Sequence, residues 1–139
     1  MDLERINPAE LARPSGFSHA VSVSAGRMVF LAGQIGMDRD GKVAAGGIVP
    51  QFEQALANLL IALAQAGGHP SDLVSVTIYL TDVADYLANG KEIGAVWRRL
   101  AGTEYPAMAG VGVTQLWLPE ALVEIQGIAV VSADGVRRR

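Results

Sequence analysis

Cysteine is absent from this 139-residue chain. That excludes a disulfide framework, a thiolate nucleophile and any Cys-based zinc or iron–sulfur centre. Histidine is nearly absent too. His19 and His69 are the whole supply, too few for a multi-His metal centre. Charge is scarce: 18% of residues are charged while half are apolar, which excludes disorder as the dominant state. The balance is −3, with an isoelectric point near 5.3. Nucleic acid is therefore not an expected partner, because phosphate contacts need basic surface. Long hydrophobic runs are missing as well. The longest, 59–66, is interrupted by Gln65 and falls far short of the ~18–20 residues of a membrane span. The first 18 residues carry Asp2, Glu4, Arg5, Glu10 and two prolines, with no apolar leader segment. A cytoplasmic location and no membrane partner are the expectation.

What is present suits one domain over 1–139, with a core large enough to hold its fold. Residues 1–15 and 133–139 read as tails; the Arg137–Arg139 run reads as a solubilising end rather than a nucleic-acid contact. Val21, Val23 and Ala25 alternate with serines, as in a half-buried strand. Gly26-Arg27 marks a turn, and Met28–Ala32 is continuously apolar, so the two runs read as a hairpin. Residues 38–42 read as a second tight turn. From Pro50 the period changes: Phe52, Ala55, Leu56, Leu59, Leu60 and Leu63 fall on one face of a helix over about 50–66. Gly67-Gly68 can end it. Val74, Val76, Ile78 and Leu80 alternate with polar residues in a strand. Thr81 or Asp82 can cap a second helix that Gly102 ends, with a possible break at Asn89-Gly90. Two strand-like runs come next, about 107–116 and 121–132.

The order is ββ-α-β-α-ββ, an α+β fold. Two amphipathic helices cover one face of such a sheet, yet several strands look apolar on both faces. Mean hydropathy is +0.29, high for a monomer with so few charges. A second subunit over the open face would account for both, and an obligate oligomer is expected.

Glu124 lies inside the apolar strand Leu-Val-Glu-Ile-Gln. A partly desolvated carboxylate is a good proton carrier near neutral pH; an exposed strand-face carboxylate is the other reading. His19, at the start of the first strand, offers a hydrogen bond or a proton shuttle, or is simply a surface histidine. His69, in Gly-Gly-His-Pro, reads as a loop residue. Gly33 permits close backbone approach and Gln34 supplies an amide. Ser15 and Ser132 have no base placed to activate them. Neither 33–36 nor 110–112 matches a dinucleotide or phosphate-loop fingerprint. Asp82, Asp85, Glu92 and Glu104 read as helix caps and a solvated face, without calcium-loop spacing.

Five segments carry a resemblance: Gly33-Gln34, Ala64–Gly68, Thr77–Asp82, Tyr105-Pro106-Ala107 and Val123-Glu124-Ile125. In this order the chain resembles the Rid family of reactive-intermediate deaminases, over about residues 16–131. The resemblance implies a chorismate-mutase-like fold, a mixed sheet backed by two helices, assembled as a homotrimer with small-molecule clefts between subunits. It implies no cofactor or metal, and hydrolysis of enamines and imines such as 2-aminoacrylate to keto acids and ammonia.

Several family positions differ. Deaminase members carry, right after Pro-Ala, an arginine that grips the substrate carboxylate; here it is Met108. A family cysteine is replaced by Gly110, a second-helix asparagine falls near Lys91, and a first-strand tyrosine aligns with His19. A charged hydrogen bond contributes ~1.5–3 kcal/mol, so losing the guanidinium fork should weaken a small carboxylate by roughly ten- to a hundredfold. The soft thioether favours a neutral or apolar group. The resemblance, with these departures, thus implies a hydrolase for imines or enamines without the usual α-carboxylate. Glu124 would be catalytic; His19, Gly33, Gln34, Met108, Ala109 and Gly110 would contact substrate. A non-catalytic trimeric ligand-binding or regulatory protein is the alternative. An endoribonuclease, a role claimed for some members, is disfavoured by the acidic charge.

Overall fold

The computed structural model describes residues 2–133; the expected tail at 134–139, with its three arginines, lies outside them. The elements run β1 (Leu3–Ile6), β2 (Ala20–Val23), β3 (Arg27–Ile35), α1 (Ile48–Gln65), a 3-10 turn (Pro70–Asp72), β4 (Leu73–Leu80), α2 (Val83–Ala88), α3 (Gly90–Ala101), β5 (Ala107–Gly112) and β6 (Val123–Val131). Four strands form a mixed sheet in the order β3-β6-β4-β5, with only β4 and β5 parallel. The helices back it, giving the α+β architecture that the periodicities imply.

The central strands obey the alternation read from the sequence. Val76, Ile78 and Leu80 of β4 and Val123, Ile125 and Ala129 of β6 are buried against Phe52, Leu56, Leu59 and Leu63 of α1 and Ile93, Val96 and Trp97 of α3. The other face carries Phe30, Thr77, Tyr79, Glu124 and Gln126, as the cross-strand registers place them. No helix among the described residues is long and apolar enough to cross a membrane.

Helix α1 ends as Gly67-Gly68 suggest. Gly67 takes φ +87°; its N–H donates to the Ala64 carbonyl and that of Gly68 to the Leu63 carbonyl, a Schellman closure. The second helix does divide at Asn89. Asp82 caps α2, its Oδ1 accepting the Asp85 N–H at 3.0 Å. Asn89 Nδ2 then donates back to the Asp85 carbonyl at 2.8 Å, and α3 starts afresh.

Two expectations are corrected. The hairpin of the first two apolar runs does not form: β2 pairs antiparallel with β1, from Leu3↔Val23 to Ile6↔Ala20, while β3 takes β6 as its partner. Strand β3, nine residues long, finds a partner of equal length in β6, which the four-residue β2 cannot offer. Residues 3–6 are consequently a strand rather than tail. Arg5 secures it: Nη2 donates to the Ser71 carbonyl at 2.9 Å, and Nη1 lies 3.3 Å from the Glu104 carboxylate.

Candidate active-site cleft

Strand β3 pairs with β6 as far as Leu31↔Gly127 and resumes at Gln34↔Ile125, so one extra residue bulges from it. A bulge bends its strand and re-aims the neighbouring side chains, and here Ala32-Gly33 is the displaced segment. The Glu124 carboxylate lies directly over Gly33; a Cβ at that position would overlap it. Glycine is therefore required for the carboxylate to occupy this place.

The start of β6 is held by a buried amide. Gln51 of α1 donates from Nε2 to the Glu120 carbonyl at 3.1 Å and accepts the Leu122 N–H at 2.8 Å. Beyond β3, the Asn58 amide donates to the carbonyls of Met37, at 2.7 Å, and Ile35, at 3.3 Å. The 38–42 turn closes on the Asp38 carboxylate, which accepts the N–H groups of Asp40 and Lys42 at 2.9 and 3.0 Å. These bonds build a cleft of ≈ 850 Å³ whose walls include Gly33, Gln34, Glu124, Asn58, Arg39 and Trp117.

Of the expected site residues, the chain brings Gly33, Gln34 and Glu124 together. Met108 is elsewhere. It pairs with Val76 in the β4–β5 register, on the helix-backed face, and lines a second pocket beside Trp97 and Tyr86. Ala109 and Gly110 are exposed on β5, the edge strand. His19 is engaged locally: its Nε2 lies 2.7 Å from the Ala12 carbonyl, its backbone N–H donates to Asn7 Oδ1 at 2.8 Å, and Phe17 meets its ring edge-on. Within one chain it anchors the N-terminal segment rather than lining the Glu124 cleft.

Three cleft residues went unread in the sequence. Trp117 is 93% exposed at the cleft rim, and a lone aromatic in a loop between strands was its only signal. Asn58 and Arg39 had none, being polar residues on a helix and in a turn. Among the described residues no group of three His, Asp or Glu is placed to hold a metal.

Residues 8–131 match the Endoribonuclease L-PSP family. Protein DfrA of Myxococcus xanthus is 39% identical over 82% of this chain and 84% of its own length. The 2-iminobutanoate/2-iminopropanoate deaminase of Dermatophagoides farinae is 35% identical over 94% of this chain and 99% of its own. The crystal structure of a Rid-family protein of unknown function from Yersinia pestis superimposes with a TM-score of 0.83, at 35% identity, over 94% of this chain and all of that one.

Proposed function

The chain belongs to the Endoribonuclease L-PSP family, among whose members are Rid proteins, and from that premise we propose that it hydrolyses imines or enamines that lack an α-carboxylate. The observation that carries this is the Glu124 carboxylate seated over Gly33 in an open cleft that Gln34 also lines. Glu124 takes a proton from water as the oxygen adds to the C=N carbon, giving a carbinolamine. It returns that proton to nitrogen, then takes the hydroxyl proton of the carbinolamine and passes it to the same nitrogen as the C=O forms and the C–N bond breaks, so that ketone and ammonia leave. An enamine enters the same route once its carbon is protonated. Gln34 orients the substrate with an amide that both donates and accepts.

Met108 sets the substrate class. Its thioether offers no partner to a carboxylate, so neutral substrates are favoured. Met108 and Glu124 lie on opposite faces of one chain's sheet. They can serve one substrate only across a subunit boundary, and we take the working unit to be a homotrimer, with Glu124 of one copy facing the β5 edge of another. The exposed side chains of Met28, Phe30 and Val111 supply the apolar surface such an assembly needs.

The test compares 2-iminopropionate with carboxylate-free imines generated in situ. Wild type should consume the neutral imines, Glu124→Gln should lose that activity, and Met108→Arg should gain turnover of 2-iminopropionate. Wild type no faster than buffer on every imine would leave a ligand-binding protein without chemistry.

A further inference from the structure

Two large apolar side chains on the walls of the Glu124 cleft are left in water, and they come from different elements. Trp117, in the loop between β5 and β6, is 93% exposed, and Ile61 of α1 is 67% exposed. Ile61 lies three residues beyond Asn58, whose amide binds the carbonyls of Ile35 and Met37. The two therefore share a helix face, on the cleft side of α1 rather than the core side where Leu59 and Leu63 are fully buried. Trp117 also lines a second hollow, of ≈ 550 Å³, together with Gln115, Leu116 and Glu124. Trp117 and Glu124 thus border both openings. Arg39 is exposed on the cleft wall and forms no ion pair among the described residues.

We propose that Trp117 is a specificity residue of the Glu124 cleft, and that the imine it selects carries a flat conjugated ring stacked on the indole. The inference rests on the hydrolase reading and names a substituent of its substrate. An aromatic ring uses everything these walls offer. The indole presents a π face, the unpaired Arg39 guanidinium is a planar cation that stacks on rings, and Ile61 adds apolar surface. A saturated ring of the same size gains the apolar contact alone. A second copy of the chain is the competing cover. The assembly surface argued above is the open face of the sheet, which carries Phe30, whereas Ile61 belongs to the helix layer on the other side. A neighbour seated on the open face leaves Ile61 uncovered, and an occupant that reaches both Ile61 and Trp117 has to enter the cleft.

Two ketones that differ only in their ring, acetophenone and cyclohexyl methyl ketone, probe the site without turnover; they are the products expected from the corresponding neutral ketimines. Binding is followed on the Ile61 methyl signals. Acetophenone should shift them by its ring current, saturate, and bind about three- to tenfold more tightly than its saturated counterpart, as one aromatic pair predicts. Trp117→Leu keeps an apolar side chain but should remove that preference, and Trp117→Phe should restore part of it. In turnover, the kcat/KM ratio of the phenyl ketimine over the cyclohexyl ketimine should follow the same order across the three proteins. No saturable shift, equal binding of the two ketones by wild type, or a preference that survives in Trp117→Leu overturns the proposal. So does a lower sedimentation mass for Trp117→Leu, which would place the indole in a subunit contact. The hydrolase reading fails separately. A ring preference in ketone binding without turnover of either imine removes the chemistry and keeps the stacking site; turnover of both imines at equal kcat/KM does the reverse.

Discussion

Gly33 and Glu124 form the contact on which the proposed hydrolysis rests. Since a methyl group on residue 33 would overlap the carboxylate, Gly33→Ala should push the Glu124 side chain aside. The obstructed group is the free end of a flexible side chain, so stability should change little. Misplacement of a reacting group by about 1 Å can cost roughly a hundredfold in rate, and we expect a fall of that order in kcat for a neutral imine, with Tm within a few degrees of wild type. Steady-state kinetics and thermal unfolding of the same preparation check both halves. Tyr86 supports a prediction on pH. Burial raises its folded-state pKa above the ordinary 10.0, so the unfolded chain releases this proton first. The stability this group contributes is complete below about pH 10 and declines as pH climbs from there toward the folded value. Urea unfolding at about pH 9 and about pH 11, on either side of the unfolded phenol's titration, should therefore show a smaller alkaline loss in Tyr86→Phe than in wild type. Composition and motif bring Glu124, Gly33 and Gln34 forward, but their meeting depends on a bulge and a register that residue spacing does not encode. Met108 illustrates the reverse: strand parity places it on the helix-backed face, and only the pairing with Val76 reveals that parity.

At the scale of elements, long regular patterns were legible and short ones were not. Helix α1 and strand β4 carry enough apolar positions at a constant period to be read from the chain alone. Strand β1 has four residues and is held by its ladder with β2 and by Arg5 reaching Ser71 and Glu104, contacts between positions far apart in sequence. The β2–β3 hairpin failed for a related reason: a turn signal says that the chain bends, not which strand will accept its hydrogen bonds. Gln51 is another long-range tie, and no local pattern announces it. It joins α1 to the loop that aims β6, and it is buried. Gln51→Ala strands the Glu120 carbonyl and the Leu122 N–H. Both groups are only partly buried, so at about 0.5–1.5 kcal/mol for each hydrogen bond lost unfolding should become easier by roughly 1–3 kcal/mol. A urea titration measures that loss directly. Because the entry to β6 loosens, kcat should fall as well, even under conditions where the variant is fully folded.

For the whole molecule, the decisive feature is a sheet with one covered face. The helices bury Val76, Ile78, Val123 and Ile125, while the opposite face leaves Phe30 72% and Met28 57% exposed. The sequence already carried this imbalance in its hydropathy, since apolar strands outnumber the helices available to cover them. Burying an aromatic ring of this kind contributes about 1.5–3 kcal/mol relative to leaving it in water. A closed ring of three copies would collect that gain at every interface. A charge on Phe30 should reverse it: Phe30→Asp brings one carboxylate per copy against apolar neighbours, with no cation among the described side chains of that face to meet it. Sedimentation equilibrium should give wild type a mass near three times 14.6 kDa and the variant a mass near one. Hydrolysis should vanish with assembly, although Glu124 and Gly33 remain in place within each chain. A wild type that sediments as a single copy would end the shared-site reading, and activity surviving in a monomeric variant would confine the chemistry to the Glu124 cleft alone.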